Sequence, residues 1–479
     1  MKNNQTVRNK NYNLVIIILI ASLSIFLRFY DITFQSYWLD ELFSAKASNP
    51  DNSFKFMYHM TVSDVHPPLY QSLLWVWYKI FGFNEYSGRI LSAIFGTISI
   101  YFMYLLGKVL FNKDVGLYAS IISSTNYFLV YYSQEMRSYS LVFLLTTISY
   151  LYLIKIIQNY SIKNFIIYLI STIALLYTHY FAFFLVSTQF FVFIFFYFKE
   201  KNNRKQLLIL SVITSIVFLI ALVPLMTYIL NNVNKSSWWA EAPSIIFFIK
   251  YFNFYIRSLP LDIIFTFLII FGIKKELTVK GWNTDKSALI VIVIWIVIGY
   301  LLPYIRSILS TPLLIPRNTI IVLPAIILFI SYSISTIKNV NAKKSIITLI
   351  TILSIFTLYI KHYNTQDVKD EWREILYSIN HINKKLPVYD PVYNGVFYKT
   401  YAEMLKLDLN IYHIKNLIKE KQEDKIPNCF WVVEAHGEWI DKINLLKDKS
   451  FHIVKKIEKN GTKAILYSYN VDDSICMIK

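Results

Sequence analysis

The sequence predicts an α-helical polytopic membrane protein with a small α/β domain at its C-terminus. Three observations carry this reading. Charged residues are 16% of the 479 and apolar residues 55%, where a soluble globular chain holds about 25% charged; mean hydropathy is +0.43. Apolar runs long enough to cross a bilayer recur between residues 14 and 361. Beyond them the composition changes: residues 362–479 carry 18 Lys+Arg against 17 Asp+Glu, while residues 1–361 carry 30 against 13. A soluble globular chain, a disordered chain and a disulfide-dense secreted domain are excluded. The net charge of +18 sits in connectors between apolar runs, which points to membrane topology and away from nucleic acid.

The first run, 14–30, follows Lys2, Arg8 and Lys10. No small-residue cleavage site succeeds it, so it reads as a retained helix and not a signal peptide. Further runs lie near 88–106, 115–131, 138–157, 164–179, 181–198, 206–230, 251–272, 288–305, 318–337 and 345–361. Basic connectors at Lys108/Lys113, Lys155/Lys163, Lys199–Lys205, Lys274–Lys286 and Lys338–Lys344 are each separated by two runs. The positive-inside rule puts these and the N-terminus in the cytoplasm. It leaves 131–137, 179–180, 231–250, 306–317 and the tail outside. Leu69–Gly82 is apolar but only 14 residues long, after Pro67-Pro68. If it spanned, every later basic connector would move outside. It therefore reads as re-entrant or interfacial, within one external loop over 31–87. The expected topology is about eleven spans in the plasma membrane, with the N-terminus inside and the C-terminus outside.

The chain divides into a membrane domain, 1–361, and an extracytoplasmic α/β domain, 362–479. In the latter, Trp372, Ile375, Leu376, Ile379 and Ile382 have helical spacing over 370–384. Short apolar runs at 386–389, 409–412, 430–433, 452–457 and 464–469 read as strands. Cys429 and Cys476 both lie here; two cysteines leave their pairing open.

With only 13 acids in the membrane domain, the position of each is informative. Asp40-Glu41 follow Trp38-Leu39 in the first external loop, a carboxylate pair suited to a general base, a metal ligand or a solvated face. His66 precedes two prolines that fix the backbone. The second external loop holds Tyr132, Glu135 and Arg137 at the bilayer surface, where charge is costly and usually paired or functional. Arg306 and Arg317 flank a further external loop; a planar guanidinium suits phosphate, and interfacial anchoring is the plainer use. His179 tops a helix hairpin. Trp238-Trp239 near Glu241 is either an aromatic belt or a face for sugar stacking. No nucleotide-binding signature is present, and nucleotide donors are cytoplasmic. Chemistry outside the membrane therefore calls for a lipid-carried donor.

Ser36-Tyr37-Trp38-Leu39-Asp40-Glu41, His66-Pro67-Pro68-Leu69-Tyr70, Glu85-Tyr86-Ser87-Gly88-Arg89, Tyr132-Ser133-Gln134-Glu135-Met136-Arg137, Thr178-His179-Tyr180 and Pro316-Arg317-Asn318 occur in that order. Together they resemble glycosyltransferase family 39 and its relatives, the protein O-mannosyltransferases and lipid A aminoarabinose transferases, over roughly residues 14–335. Glu371-Trp372-Arg373 resembles the opening of their external domain. The resemblance implies a GT-C fold with interfacial helices in the first external loop. It also implies a polyprenyl-phosphate-linked sugar as donor, inversion at the anomeric carbon, and an extracytoplasmic lipid, glycan or protein as acceptor. Asp40 is then the catalytic carboxylate, Glu41 auxiliary, and Glu135 the acid of the second loop. Arg137 and Arg317 fall where the donor phosphate is held, and His66 lines the site. Asn318 replaces the tyrosine of many relatives, which puts that residue's hydroxyl or stacking contact in question. Asp40, Glu135 and His66 have the ligand types of a divalent-metal site. The competing readings are a lipid-linked glycan polymerase or ligase, which differs in acceptor, and a lipid or polysaccharide transporter. A transporter is expected to show mid-membrane charges and matched halves, and this sequence shows neither.

Overall fold

A computed structural model describes residues 2–64, 66–226, 241–278, 284–361, 366–393, 395–435, 437 and 439–477. The chain forms two compact units. One comprises residues 1–30, 54–73 and 90–361, the other 31–53, 74–89 and 362–479. The sequence reading placed all of 1–361 in one domain. The structure instead groups two pieces of the first external loop with the tail.

In the membrane unit, each of the eleven apolar runs lies largely on helix in its described residues. These helices are α1 (Lys2–Phe29), α5 (Glu85–Leu110), α6 (Lys113–Thr125), α7 (Tyr127–Ser133), α8 (Tyr139–Gln158), α9 (Ile162–Leu176), α10 (Ala182–Lys199), α11 (Arg204–Leu222), α12 (Phe247–Ile256), α13 (Leu259–Thr278), α14 (Thr284–Leu309), α15 (Leu323–Ser335) and α16 (Val340–Ile360). A turn of 3₁₀ helix, Pro316–Val322, leads into α15. Among the described residues, seven helices have the length and apolarity to cross a bilayer, or eight if α12 and α13 form one span. Val15–Phe29 and Ile162–Leu176 are shorter apolar helices. α11 and α16 turn most of their apolar surface outward, whereas α15 is buried. Gly107 of α5 lies against Gly116 of α6, an approach that side chains would block.

Two expected spans are broken. The run 115–131 divides at Asn126, whose side chain accepts from Leu129 N at 3.0 Å and caps α7. The carbonyls freed at the end of α6 are taken by Arg28: Nη1 donates to Ser124 O at 3.0 Å and Nη2 to Ser123 O at 3.1 Å. A buried cation at a helix C-terminus is favoured by the helix dipole. The run 251–272 bends by 118° between α12 and α13. Arg257 adopts a left-handed conformation (φ 56°) and closes α12. Pro260 lacks an amide donor and disfavours helical backbone before it, so one helix cannot pass through.

The α/β unit holds α2 (Leu39–Ala47) and most of α4 (Leu69–Phe81), whereas α3 (Phe54–Ser63), between them in the chain, belongs to the membrane unit. α4 has 13 residues, too few for the roughly 20 that a crossing needs. It exposes Val76, Ile80 and Phe81 and buries Leu74 and Tyr78, as an interfacial helix does. The tail folds as α17 (Trp372–Asn383), β1 (Val388–Asp390), α18 (Val396–Met404), β2 (Ile411–His413), α19 (Ile414–Gln422), β3 (Cys429–Ala435), β4 (Phe451–Lys459), β5 (Thr462–Tyr469) and α20 (Asp473–Cys476). The sheet order is β2-β1-β3-β5-β4. β1 runs parallel to β2 and β3, and β5 antiparallel to β3 and β4. The five strands match the five expected runs. Trp372, Ile375, Leu376 and Ile379 of α17 are buried, as their spacing requires.

Gly461 turns the β4–β5 hairpin with φ +63°, and a side chain there would strike Asp370. Beside it, Asn460 N donates to Glu371 Oε2 at 2.7 Å and Glu371 N to Asn460 O at 2.9 Å. Cys429 and Cys476 are joined, with Cα atoms 5.4 Å apart across a separation of 47 residues. Closing such a loop stabilises by about 4 kcal/mol in the chain-entropy account. Intact protein should resist maleimide labelling until reduced. Cys429→Ser with Cys476→Ser should lower the tail's melting temperature and speed its proteolysis; unchanged melting would remove the stabilising role.

Candidate active site

In the membrane unit, four sequence motifs are stitched together. His66 Nε2 lies 2.8 Å from Arg137 Nη2. A guanidinium only donates, so this nitrogen accepts and the imidazole is neutral. Asp64 Oδ2 stands 3.5 Å from the same nitrogen. Tyr70 OH and Ser92 Oγ share a hydrogen bond of 2.8 Å, and Ser92 Oγ donates to the Arg137 carbonyl at 3.1 Å. Leu69 N donates to Tyr177 O at 2.8 Å, tying the His66–Tyr70 segment to the turn that carries His179.

Glu135 and Arg137 occupy the turn between α7 and α8, and both are buried. Arg137 N donates to Glu135 O at 2.7 Å. From there aromatic rings lead across the unit. Tyr132 meets Tyr139 at 4.6 Å, Tyr139 meets His179 at 6.1 Å, and His179 stacks on Tyr180 at 4.6 Å between centroids. Tyr180 OH in turn accepts from Asn318 Nδ2.

His179 lies in the turn between α9 and α10. Burial, then the charges of Arg137 and Arg317, hold its pKa at about 3, well below the ordinary 6.5. Two arginines from distant parts of the chain thus act on one imidazole. Phe181 N donates to His179 Nδ1 at 3.2 Å, which leaves Nε2 as the protonated donor of a neutral ring.

The Arg317 segment is held from several sides. Tyr251 OH donates to Leu314 O at 2.6 Å, Trp295 Nε1 to Ile321 O at 2.8 Å and Asn318 Nδ2 to Leu313 O at 3.2 Å. Arg306 Nη1 donates to Thr311 O at 3.2 Å, so it braces its own loop, and it is Arg317 whose charge reaches His179. An apolar groove of about 850 Å³ is walled by α12, α13, α14 and α15, with Phe248, Phe252, Ile270, Val293 and Val297 along it and Tyr300 and Tyr304 among its walls. Trp238 lies outside the described residues.

The α/β unit holds the other carboxylates. Asp40 is half-buried in the first turn of α2. Burial, then Asp390, Asp370 and Asp40, push up the pKa of Tyr393, on the loop after β1. Glu41 is fully buried and engaged: Arg89 Nε and Nη2 donate to its two oxygens at 2.9 Å each, and Lys369 Nζ to Oε2 at 2.9 Å. Its surroundings suit an anchor of the loop. Sequence reasoning missed these partners. Glu85 and Arg89 are four apart on a helix, which suggests a local pair. Instead Glu85 meets Arg373 at 2.9 Å and Arg89 meets Glu41.

The metal set draws Asp40 from the α/β unit and His66 and Glu135 from the membrane unit. Among the described residues no group of three His, Cys, Asp or Glu is gathered to hold an ion. His66 Nε2, the nitrogen facing Arg137, accepts a hydrogen bond from that cation.

Comparison with known proteins places this geometry. The family profile "Dolichyl-phosphate-mannose-protein mannosyltransferase" matches residues 65–229. Comparison with curated protein sequences gives no match. Among solved structures, ArnT from Cupriavidus metallidurans in the apo state superposes with a TM-score of 0.63 at 11% identity, covering 97% of this chain and 99% of that one. The same protein bound to undecaprenyl phosphate gives 0.61 at 11% identity, covering 95% and 98%. The Archaeoglobus fulgidus oligosaccharyltransferase AglB, in complex with an inhibitory peptide and a dolichol-phosphate, gives 0.52 at 10% identity over 89% and 70%. The chain is a polytopic membrane protein of the GT-C glycosyltransferase fold. Its fold is similar to that of ArnT, and residues 65–229 are similar to the mannosyltransferase family profile.

Two outcomes test the electrostatics. Glu41→Ala strands two buried cations and should destabilise the α/β unit by about 3–5 kcal/mol, read as earlier unfolding and faster proteolysis. A histidine with a folded pKa near 3 is protonated more readily in the unfolded chain. The stability it contributes is complete above about pH 6.5 and drains away as pH falls toward 3. His179→Gln should therefore flatten the loss of melting temperature between pH 6.5 and 4; an unchanged profile would contradict the assignment.

Proposed function

We propose that this protein is an integral-membrane glycosyltransferase that moves a sugar, with inversion, from a polyprenyl-phosphate donor to an acceptor outside the plasma membrane. The observation that carries the reading is the convergence of Arg137, His66, His179 and Arg317. In a low-dielectric site, fixed cations and hydrogen-bond donors stabilise a developing phosphate charge without reorganising. Neutral His66 and His179 add no further positive charge, and the His179 ring is hydrogen-bonded to Asn318. Tyr180, bound by Asn318, supplies a hydroxyl beside the position where many relatives carry a tyrosine. The apolar groove suits an isoprenoid chain, and one neighbour is bound to undecaprenyl phosphate.

Asp40 is the base on the family pattern. It takes the acceptor hydroxyl proton as that oxygen bonds to the anomeric carbon. The bond from that carbon to the phosphate oxygen breaks, and the polyprenyl phosphate leaves with its electron pair against Arg137 and Arg317. General-base assistance contributes about 10²–10⁴-fold. Glu41 anchors its loop through Arg89 and Lys369, Glu135 is the acid of the second loop on the family pattern, and the acceptor is a lipid, a glycan or a protein. A disulfide in the tail suits the oxidising side of the membrane, with the N-terminus inside.

Asp40→Asn should lower transfer by at least 10²-fold while leaving donor binding and melting intact; full turnover would exclude the base. Arg137→Ala and Arg317→Ala should each weaken donor affinity about tenfold or more, and unchanged affinity in both would remove the phosphate site. Mass spectrometry of envelope glycolipids and glycoproteins, with and without the protein, would identify the sugar and the acceptor.

A further inference from the structure

Tyr255 lies at the end of α12, just before the 118° bend, and is fully buried. Its two ends engage different parts of the membrane unit. The main-chain carbonyl accepts from Asn126 Nδ2 at 3.0 Å. Asn126 is the cap of α7, and α7 runs directly into the turn bearing Glu135 and Arg137. The ring meets Phe128 of α7 edge-on at 5.0 Å. The hydroxyl bonds Thr319 Oγ1 and points at Pro316 O, 3.4 Å away. These two residues bracket Arg317. Tyr300 OH, from the apolar groove, donates to the same hydroxyl at 3.5 Å.

We propose that Tyr255 is a positioning residue that sets the two phosphate-binding arginines in register, holding the Arg137 loop through its carbonyl and the Arg317 loop through its hydroxyl. The inference rests on the phosphate assignment above. The physical reason is spacing. Two guanidinium groups on separate loops stabilise one phosphate only if the loops are fixed against each other, and each otherwise pays ordering entropy on binding. The bend at Arg257 gives Tyr255 this position, because an unbroken helix would carry the segment onward past both loops. Thr319 Oγ1 also donates to Pro316 O at 2.9 Å. The turn therefore survives loss of the tyrosine hydroxyl, and Tyr255→Phe keeps the ring packing.

The test is a binding cycle in detergent with two probes, undecaprenyl phosphate and undecaprenol, on wild type, Tyr255→Phe, Arg317→Ala and the double variant. One lost hydrogen bond to the loop should weaken undecaprenyl phosphate binding about fivefold and leave undecaprenol binding unchanged. In the Arg317→Ala background the same change should have no further effect. Thr319→Val, which removes the contact from its other side together with the bond to Pro316 O, should lose at least as much. Wild-type phosphate affinity in Tyr255→Phe and Thr319→Val, or effects that multiply with Arg317→Ala, would overturn the positioning role while leaving the phosphate site intact. Arg137→Ala and Arg317→Ala that bind both probes like wild type would instead overturn the phosphate assignment itself.

Discussion

The guanidinium of Arg89 is the interaction on which the α/β unit depends. A guanidinium has five N–H donors, and all are used: two meet the Glu41 carboxylate and three meet the carbonyls of Ile32, Gln35 and Ser36. Burying such a cation costs several kcal/mol unless every donor is met. The segment 32–41 is therefore wrapped round one side chain, which sets where α2 begins and so where Asp40 stands. The tail completes the arrangement. Arg373 donates to the carbonyls of Thr33 and Phe34, Gln35 Oε1 accepts from Val368 and Lys369 N, and Lys369 shares Glu41. Residues 31–53 and 362–479 fold as one unit because neither can satisfy these groups alone.

In the membrane unit the same logic runs with the opposite outcome. Arg28 meets the carbonyls of a helix end and is spent on structure. Arg137 and Arg317 instead act on a histidine that stays neutral. Positive charge gathered beside buried, neutral imidazoles attracts an anion. On the proposed reading this separates an arginine that holds a fold from one that meets a ligand, a distinction that residue type alone does not make.

Helix breaks create the loops that matter. Asn126 ends one expected span and starts the short helix leading to Arg137. Arg257 and Pro260 end another and place Tyr255 between the two arginine loops. A continuous helix carries its polar groups at a fixed 1.5 Å per residue, whereas a break turns a side chain or carbonyl inward at a chosen depth. In hydrocarbon each break must find partners for the freed backbone groups, and Asn126 and Arg28 provide them here.

Much of this was legible in the sequence. The eleven apolar runs, the five tail strands and the buried face of α17 follow from periodicity and length, properties of neighbouring residues. Asp40, His66, Glu135, Arg137, His179 and Arg317 could be named because polar residues are scarce in an apolar chain. Their partners could not. Glu85 and Arg89 sit at ideal helical spacing and still pair elsewhere, because Glu41 and Arg373 arrive from 48 residues before Arg89 and 288 residues after Glu85. The pairing of Cys429 with Cys476, open in the sequence, is decided where α20 packs against β3. The sequence alone determined which segments are apolar enough for a membrane and which residue types are available for chemistry, since burial in hydrocarbon constrains composition residue by residue. Tertiary structure decided which carboxylate is committed to an anchor, which arginines share a histidine and where the helices break, because each depends on groups that meet only when distant segments fold together.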